Sequence, residues 1–187
     1  MKIRDMLLAG IFVTMMIISA YIIVPIGPVP ITIQPLVVLL AGILLGSRLS
    51  AISIMVWALL GFVGLPVFNQ GQSGIVILAG PTGGFIVGFV FTAWLVGYLT
   101  EHNMEAGFGK NFLYMCLGMI VCYAFGLVGF KLSFQYFLQK PMDWSNALLL
   151  AVAPFLPFDI IKAAVAAFIG ARVRKALFLA GLLDRTK

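Results

Sequence analysis

Asp159 and Lys162 stand three residues apart in APFLPFDIIKAAVAAFIGARV, a run with no other charge until Arg172. On a helix, positions i and i+3 share a face, so this carboxylate and this ammonium can meet. Ionisable side chains at membrane depth are costly, and they pair with each other, face a cavity, or do both. Asp159 precedes Arg172 by thirteen residues, which is ~20 Å along a helix axis. With Arg172 at the cytoplasmic surface, Asp159 falls in the outer half of a ~30 Å hydrocarbon layer. The pair reads either as a recognition device for a polar ligand arriving from outside or as an ion pair that only ties its helix to the neighbours. Pro154 and Pro157 favour recognition, because they interrupt the helix just ahead of Asp159 and free backbone groups beside it. A helix restarting at Pro157 would hold Asp159 in its first turn, where the helix dipole stabilises a carboxylate.

Other chemistries lack raw material. GPTGG (80–84) is glycine-rich but has no Lys-Ser/Thr ending, and GFGKN (107–111) lacks both the first glycine and the hydroxyl of a phosphate loop. The single histidine, His102, sits in a predicted cytoplasmic loop, so neither a Ser-His-Asp triad nor a zinc hydrolase site can be assembled at depth. No second aspartate is available for an aspartyl dyad in the membrane. Cys116 and Cys122 share one apolar run at a spacing that points them in different directions, with no His or carboxylate nearby; they read as small buried residues rather than metal ligands. The sequence thus predicts no enzyme, no metal and no cofactor.

The elements that must position Asp159 and Lys162 follow from composition. With 187 residues, 63% hydrophobic and 10% charged, and a mean hydropathy of +1.14, the chain belongs in a lipid bilayer. Apolar stretches at 6–24, 33–47, 50–65, 82–100, 110–131 and 147–171 predict six transmembrane helices in a single domain, 1–187. The second and third are separated only by Ser47 to Ser50, which predicts a tight antiparallel hairpin. The run from Met6 to Val24 is long enough to span, so it reads as a retained first helix rather than a signal peptide. The net charge of +6 is scattered rather than clustered, which argues against nucleic acid. Nine cations (Lys2, Arg4, Arg48, Lys110, Arg172, Arg174, Lys175, Arg185 and Lys187) fall on one side, against Lys131 and Lys140 on the other. The positive-inside rule puts both termini in the cytoplasm. Asp5, Glu101, Glu105, Asp143 and Asp184 read as solvated charges of loops and termini.

Two outer connections are unusual. VPIGPVPITIQP (24–35) carries Pro25, Pro28, Pro30 and Pro35, so it cannot be helical and predicts a stiff extended loop. LPVFNQGQSGIVILAGPTGG (65–84) combines many glycines with Asn69, Gln70 and Gln72 and has no charge. Irregular backbone at membrane depth is tolerated only where it is buried or lines a cavity, so the two loops predict a lid over an outward-facing pocket. Phe68, Phe85, Tyr123, Phe155 and Phe158 are the aromatic candidates to line it. Small residues four apart, such as Gly84 with Gly88 and Ala163 with Ala167, predict close helix packing. No internal repeat is evident, which weighs against large repeat-built transporters.

VPIGPVPITIQP with LLAGILLGSRLSAIS, then LLGFVGLPVF, GPTGGFIVGF and PFLPFDIIKAAVAA, occur in an order and spacing that resembles the BioY family, the biotin-binding S components of energy-coupling factor (ECF) transporters. The resemblance covers almost the whole chain. It implies a six-helix S component of the bacterial plasma membrane that captures biotin outside and works with an ECF transmembrane scaffold subunit and two cytoplasmic ATPase subunits. It also implies a binding site made of Asp159 and Lys162, of Gln72, Gly74, Thr82 and Gly83 from the third loop, and of Gln34 after the first. Phe85 and Tyr123 join them. The first helix would meet the scaffold through Ala9, Gly10 and Val13. Two departures stand out: Phe158 occupies the place where a glycine commonly precedes the helix 6 aspartate, and Ala9 is followed four residues on by Val13 rather than by a second alanine. An S component for another vitamin, or a structural membrane protein, remain the alternative readings.

Overall fold

In the absence of water a backbone must satisfy itself, and an apolar chain accordingly turns to helix wherever proline and glycine allow it. The computed structural model describes residues 3–25, 28–103 and 106–179, so Lys2, Glu105, Asp184, Arg185 and Lys187 lie outside the described residues. Helix α1 spans Ile3–Ser19 and leads into strand β1, Ile23–Val24, which pairs antiparallel with β2, Ile31–Thr32. Helix α2 is Gln34–Phe62, and after one 3-10 turn at Asn69–Gly71 come the short α3, Ile75–Ala79, and α4, Gly83–Glu101. Helix α5 is Phe108–Leu132, prolonged by a π turn at Ser133–Phe137; α6, Trp144–Ala151, and α7, Leu156–Leu179, complete the order. The expected proline-rich loop is therefore a small β-ladder, with Pro35 in the first turn of α2.

The expected pair of spans at 33–47 and 50–65 is a single helical element broken at one residue, Gly46, with φ 78° and ψ 178°. Ser47 to Ser50, expected as the loop, belong to the second helical arm. Gln34 and Trp57, near opposite ends of α2, nevertheless line the same cavity. On a straight helix they would stand about 35 Å apart, so the arms fold back on each other. The hairpin is as expected but its turn is one glycine, in a left-handed backbone conformation that other residues adopt at a cost. The expected span 147–171 is likewise a broken pair, α6 and α7, bent by 51°. Pro154 lies in the break and Pro157 is the second residue of α7, which starts one residue earlier than predicted.

By length and apolar composition, Gln34–Phe62, Gly83–Glu101 and Phe108–Phe137 can each cross a membrane, and the bent pair Trp144–Ala151 with Leu156–Leu177 adds a fourth element. Outward faces of α4 and α5 carry Val87, Phe91, Trp94, Leu113, Leu117 and Ile120 exposed to the surroundings. That is the inverse of a water-soluble surface and fits lipid. Small residues draw the helices together: a Cβ on Gly129 would lie 2.5 Å from the Cα of Gly84, and one on Gly88 would lie 2.9 Å from the carbonyl of Cys122. Helices α4 and α5 therefore cross backbone to backbone. Ala163, Ala166 and Ala167 bury their face of α7 against the bundle.

Candidate ligand-binding site

Between the two arms of α2, the first turns of α4 and α7, the middle of α5 and the two loops lies a cavity of about 630 Å³, its open mouth included. Its polar centre is Asp159. The α6–α7 break lets α7 begin beside the cavity, and Asp159 in the first turn is turned inward and buried. One carboxylate oxygen accepts from Lys162 Nζ at 2.7 Å and the other from Tyr123 Oη at 2.5 Å. The side chains of Lys162 and Asp159 are only 14% and 6% exposed. Two charge-assisted bonds offset the cost of keeping a carboxylate out of water, and the spare lone pairs of Asp159 and protons of Lys162 remain for a ligand.

Two amides in the wall are incomplete. The Thr32 hydroxyl donates to Gln34 Oε1 at 3.4 Å and accepts from the Gln34 N–H at 3.3 Å, which fixes the side chain. Its Nε2 is buried with no acceptor. Asn69 Oδ1 is likewise buried without a donor. A buried polar atom left unpaired costs about 1 to 3 kcal/mol, and both amides belong to residues that line the cavity.

The remaining wall is apolar and aromatic. Trp57 donates its Nε1–H to the Val67 carbonyl at 3.0 Å and meets Phe68 edge-on, with ring centroids 5.3 Å apart. Phe85 faces Phe155 with centroids 6.4 Å apart. Such a lining suits a flat apolar body carrying polar ends.

A sequence profile of the BioY family matches residues 1–178. The chain belongs to the BioY family. The Biotin transporter BioY of Thermotoga maritima is 36% identical over 172 residues, covering 92% of this chain and 96% of that protein. The Biotin transporter BioY of Rhizobium etli is 36% identical over 184 residues, covering 92% and 94%. A crystal structure of the S-component for biotin from an ECF-type ABC transporter superposes with a TM-score of 0.81 at 28% identity, over 92% of each chain.

Of the residues that the BioY resemblance implies, Asp159, Lys162, Gln72, Thr82 and Gln34 line the cavity, as do the aromatic candidates Phe85 and Tyr123. Gly74 and Gly83 do not; they shape it. Gly74 caps α3 with φ 89°, and a side chain on Gly83 would run into the backbone of Leu78. Phe68 and Phe155 line the cavity as expected, whereas Phe158 is 48% exposed on the outer side of α7. The departure from the BioY pattern at this position therefore points away from the cavity. Sequence reasoning missed Asn69, Thr32, Trp57 and Cys122 as lining residues. Cys122, read from the sequence as a small buried residue, is buried and also lines the cavity. Trp57 had no local signal, because only the hairpin at Gly46 brings it opposite Gln34. On α1, Ala9 is buried against the bundle, Val13 is half-buried, and Gly10 is exposed with open space around it.

Proposed function

We propose that this chain is the substrate-binding subunit of a biotin uptake transporter, a single membrane domain over residues 1–187 with six passes: α1, the two arms of α2, α4, α5, and α6 with α7. The observation that carries the reading is the Asp159–Lys162–Tyr123 cluster in an aromatic cavity whose lining also includes the incompletely bonded amides Gln34 and Asn69. Biotin presents a ureido group with two N–H donors and one carbonyl, an apolar bicycle and a carboxylate tail. Asp159 accepts the ureido N–H groups, and Lys162 or Gln34 Nε2 donates to the carbonyl. Trp57, Phe68 and Phe85 enclose the bicycle, and Gln72 and Thr82 at the mouth, with backbone shaped by Gly74 and Gly83, meet the tail. A protein with a purely structural role in the bilayer would have no use for unpaired amides in a cavity wall.

The cavity opens on the outside, because the cations Arg48, Lys110, Arg172 and Lys175 gather at the other end. No residue of this chain binds ATP in the phosphate-loop manner, so import draws on an ECF membrane scaffold subunit and two cytoplasmic ATPase subunits. The exposed Gly10, with Thr14 one turn on, offers the close approach that a scaffold helix needs, with Val13 at its edge. Ala9 supports it only from behind.

Titrating the purified chain with biotin, followed by the fluorescence of Trp57 in the cavity wall and by calorimetry, should give one-to-one binding without ATP. Riboflavin or thiamine binding in place of biotin would overturn the ligand. Gly10→Leu should abolish uptake in cells while leaving biotin binding intact. Normal uptake by that variant, or uptake by the chain alone in liposomes, would overturn the partnership.

A further inference from the structure

The loop that covers the cavity hangs between two supports of unequal strength. On the α2 side it is held from within. Trp57 donates to Val67, the Gly74 N–H donates to the Gly61 carbonyl at 2.8 Å, and the Phe68 ring fills the space over Gly61, where a Cβ would collide with it. On the α1 side the ties come from the residues just beyond Ser19. Tyr21 Oη donates to the Pro66 carbonyl at 2.9 Å, and the Gln70 N–H donates to the Ala20 carbonyl at 3.4 Å. Gly71 presses against the same hydroxyl, its would-be Cβ 3.3 Å away.

Between these supports the backbone is wound into conformations that ordinary residues avoid: φ is 58° at Gln70, 75° at Gly71 and 89° at Gly74. Gln70 is not a glycine and adopts the left-handed region only because something holds it there. Its N–H bond to Ala20 is part of that hold, with the turn bonds from the Gly71 N–H to the Phe68 carbonyl at 3.0 Å and from the Gln72 N–H to the Asn69 carbonyl at 3.2 Å. The stretch so held carries Asn69 and Gln72, two polar groups of the cavity wall. Tyr21 is 53% exposed, so water competes for its bond, and the α1 side is the one that opens first.

We propose that Tyr21 is a positioning residue that holds the 65–74 loop closed, so that the turn after α1 sets how long the cavity keeps its occupant. Resting on the biotin reading above, this adds a regulation of that site. Two residues beyond Tyr21 the chain enters β1, whose ladder with β2 carries Val29, Pro30 and Thr32 to the cavity. Both covers therefore start from the same post. Helix α1 packs chiefly on α2, along the single face of Ala9, Phe12, Met16 and Ser19.

The test compares wild type, Tyr21→Phe and Tyr21→Ala as full-length protein in detergent. Labelled biotin is chased with excess unlabelled biotin, and amide exchange is followed by mass spectrometry on the ligand-free protein. Tyr21→Phe keeps the ring and loses only the hydroxyl. It should speed biotin dissociation about three- to tenfold, without slowing association, and hasten exchange in 65–74 while leaving α4 and α5 unchanged. Tyr21→Ala should do at least as much. Wild-type dissociation and exchange in both variants would overturn the proposal. So would exchange that quickens equally in α4 and α5, the sign of general loosening. Should wild type fail to bind biotin, the ligand reading falls, and the exchange pattern alone then decides for or against the strap.

Discussion

The two ends of the helical bundle use similar residues to opposite effect. At the basic end, glycine and polar side chains clamp elements together. A Cβ on Gly97 would lie 2.5 Å from the carbonyl carbon of Gly46, so α4 meets the hairpin turn backbone to backbone. Around that contact Ser47 donates to Glu101 Oε2 at 2.7 Å, Ser50 donates to the Ala93 carbonyl at 3.0 Å, and the Glu101 charge acts on the buried Arg174 of α7. At the lid end, glycines release the backbone into open loops, and amides of Gln34 and Asn69 stay unpaired in the cavity wall. A polar group bonded within the protein adds to stability, whereas one left open adds to affinity only when a ligand arrives. The comparison separates a foundation, which keeps its shape, from a receptor, which is completed by what it binds.

The largest effect that would break this contrast is expected at Asp159. Asp159→Asn removes the charge that meets the ureido N–H groups and should cost roughly 1.5 to 3 kcal/mol of biotin binding, about ten- to hundredfold in Kd by calorimetry. Lys162→Ala should likewise weaken binding more than it lowers the melting temperature. Unchanged affinity in both, with lower melting temperatures, would return the pair to a merely structural role and erase the distinction between the ends.

Gly97→Ala should do the reverse. Its methyl meets backbone atoms of Gly46 and Ser47 that have no room to yield, so thermal unfolding should register a loss of about 1 to 3 kcal/mol. Biotin affinity of the folded protein should stay near wild type. A large loss of affinity at an unchanged melting temperature would mean that the basic end is part of the receptor.

Gln34→Leu sharpens the comparison further, because it should move the two quantities in opposite directions. Binding falls by about 1 kcal/mol as the Nε2 donor disappears, while the ligand-free protein holds or gains stability on losing a buried unpaired amide. Equal losses in both measurements would show that Gln34 is already satisfied. The smallest effect is expected for Glu101→Gln, which keeps an acceptor for Ser47 but removes the charge opposite Arg174. It should lower stability by about 0.5 to 1 kcal/mol, measured by denaturant unfolding, with biotin dissociation unchanged.

Asp159 and Lys162 could be picked out beforehand because charge in an apolar run is rare enough to need a reason, and the i to i+3 spacing already placed both on one face. Gln72 was legible as an amide in an irregular loop at membrane depth, whereas Thr82 came only with the BioY resemblance. Glu101 was misread as a solvated charge: it is part of the basic-end clamp, and the signal was absent because Ser47 lies 54 positions away in the chain. Ala9 was placed on the partner face of the first helix, yet the side of α1 that packs on α2 takes it inward, a choice the near-uniform apolarity of that helix conceals.

Composition determined that this chain lives in a bilayer, its continuous apolar runs of spanning length, without the apolar-polar alternation of a barrel, determined that it does so as helices, and the order of its motifs determined its family. Tertiary structure decided which polar groups end up unpaired. Gln34 and Asn69 have ordinary neighbours in sequence, and only the fold-back at Gly46, the break before α7 and the loop strapped to Tyr21 bring them to one cavity with nothing left to bond. Pairing and burial depend on what arrives from distant parts of the chain, and no local pattern of residue types carries that information.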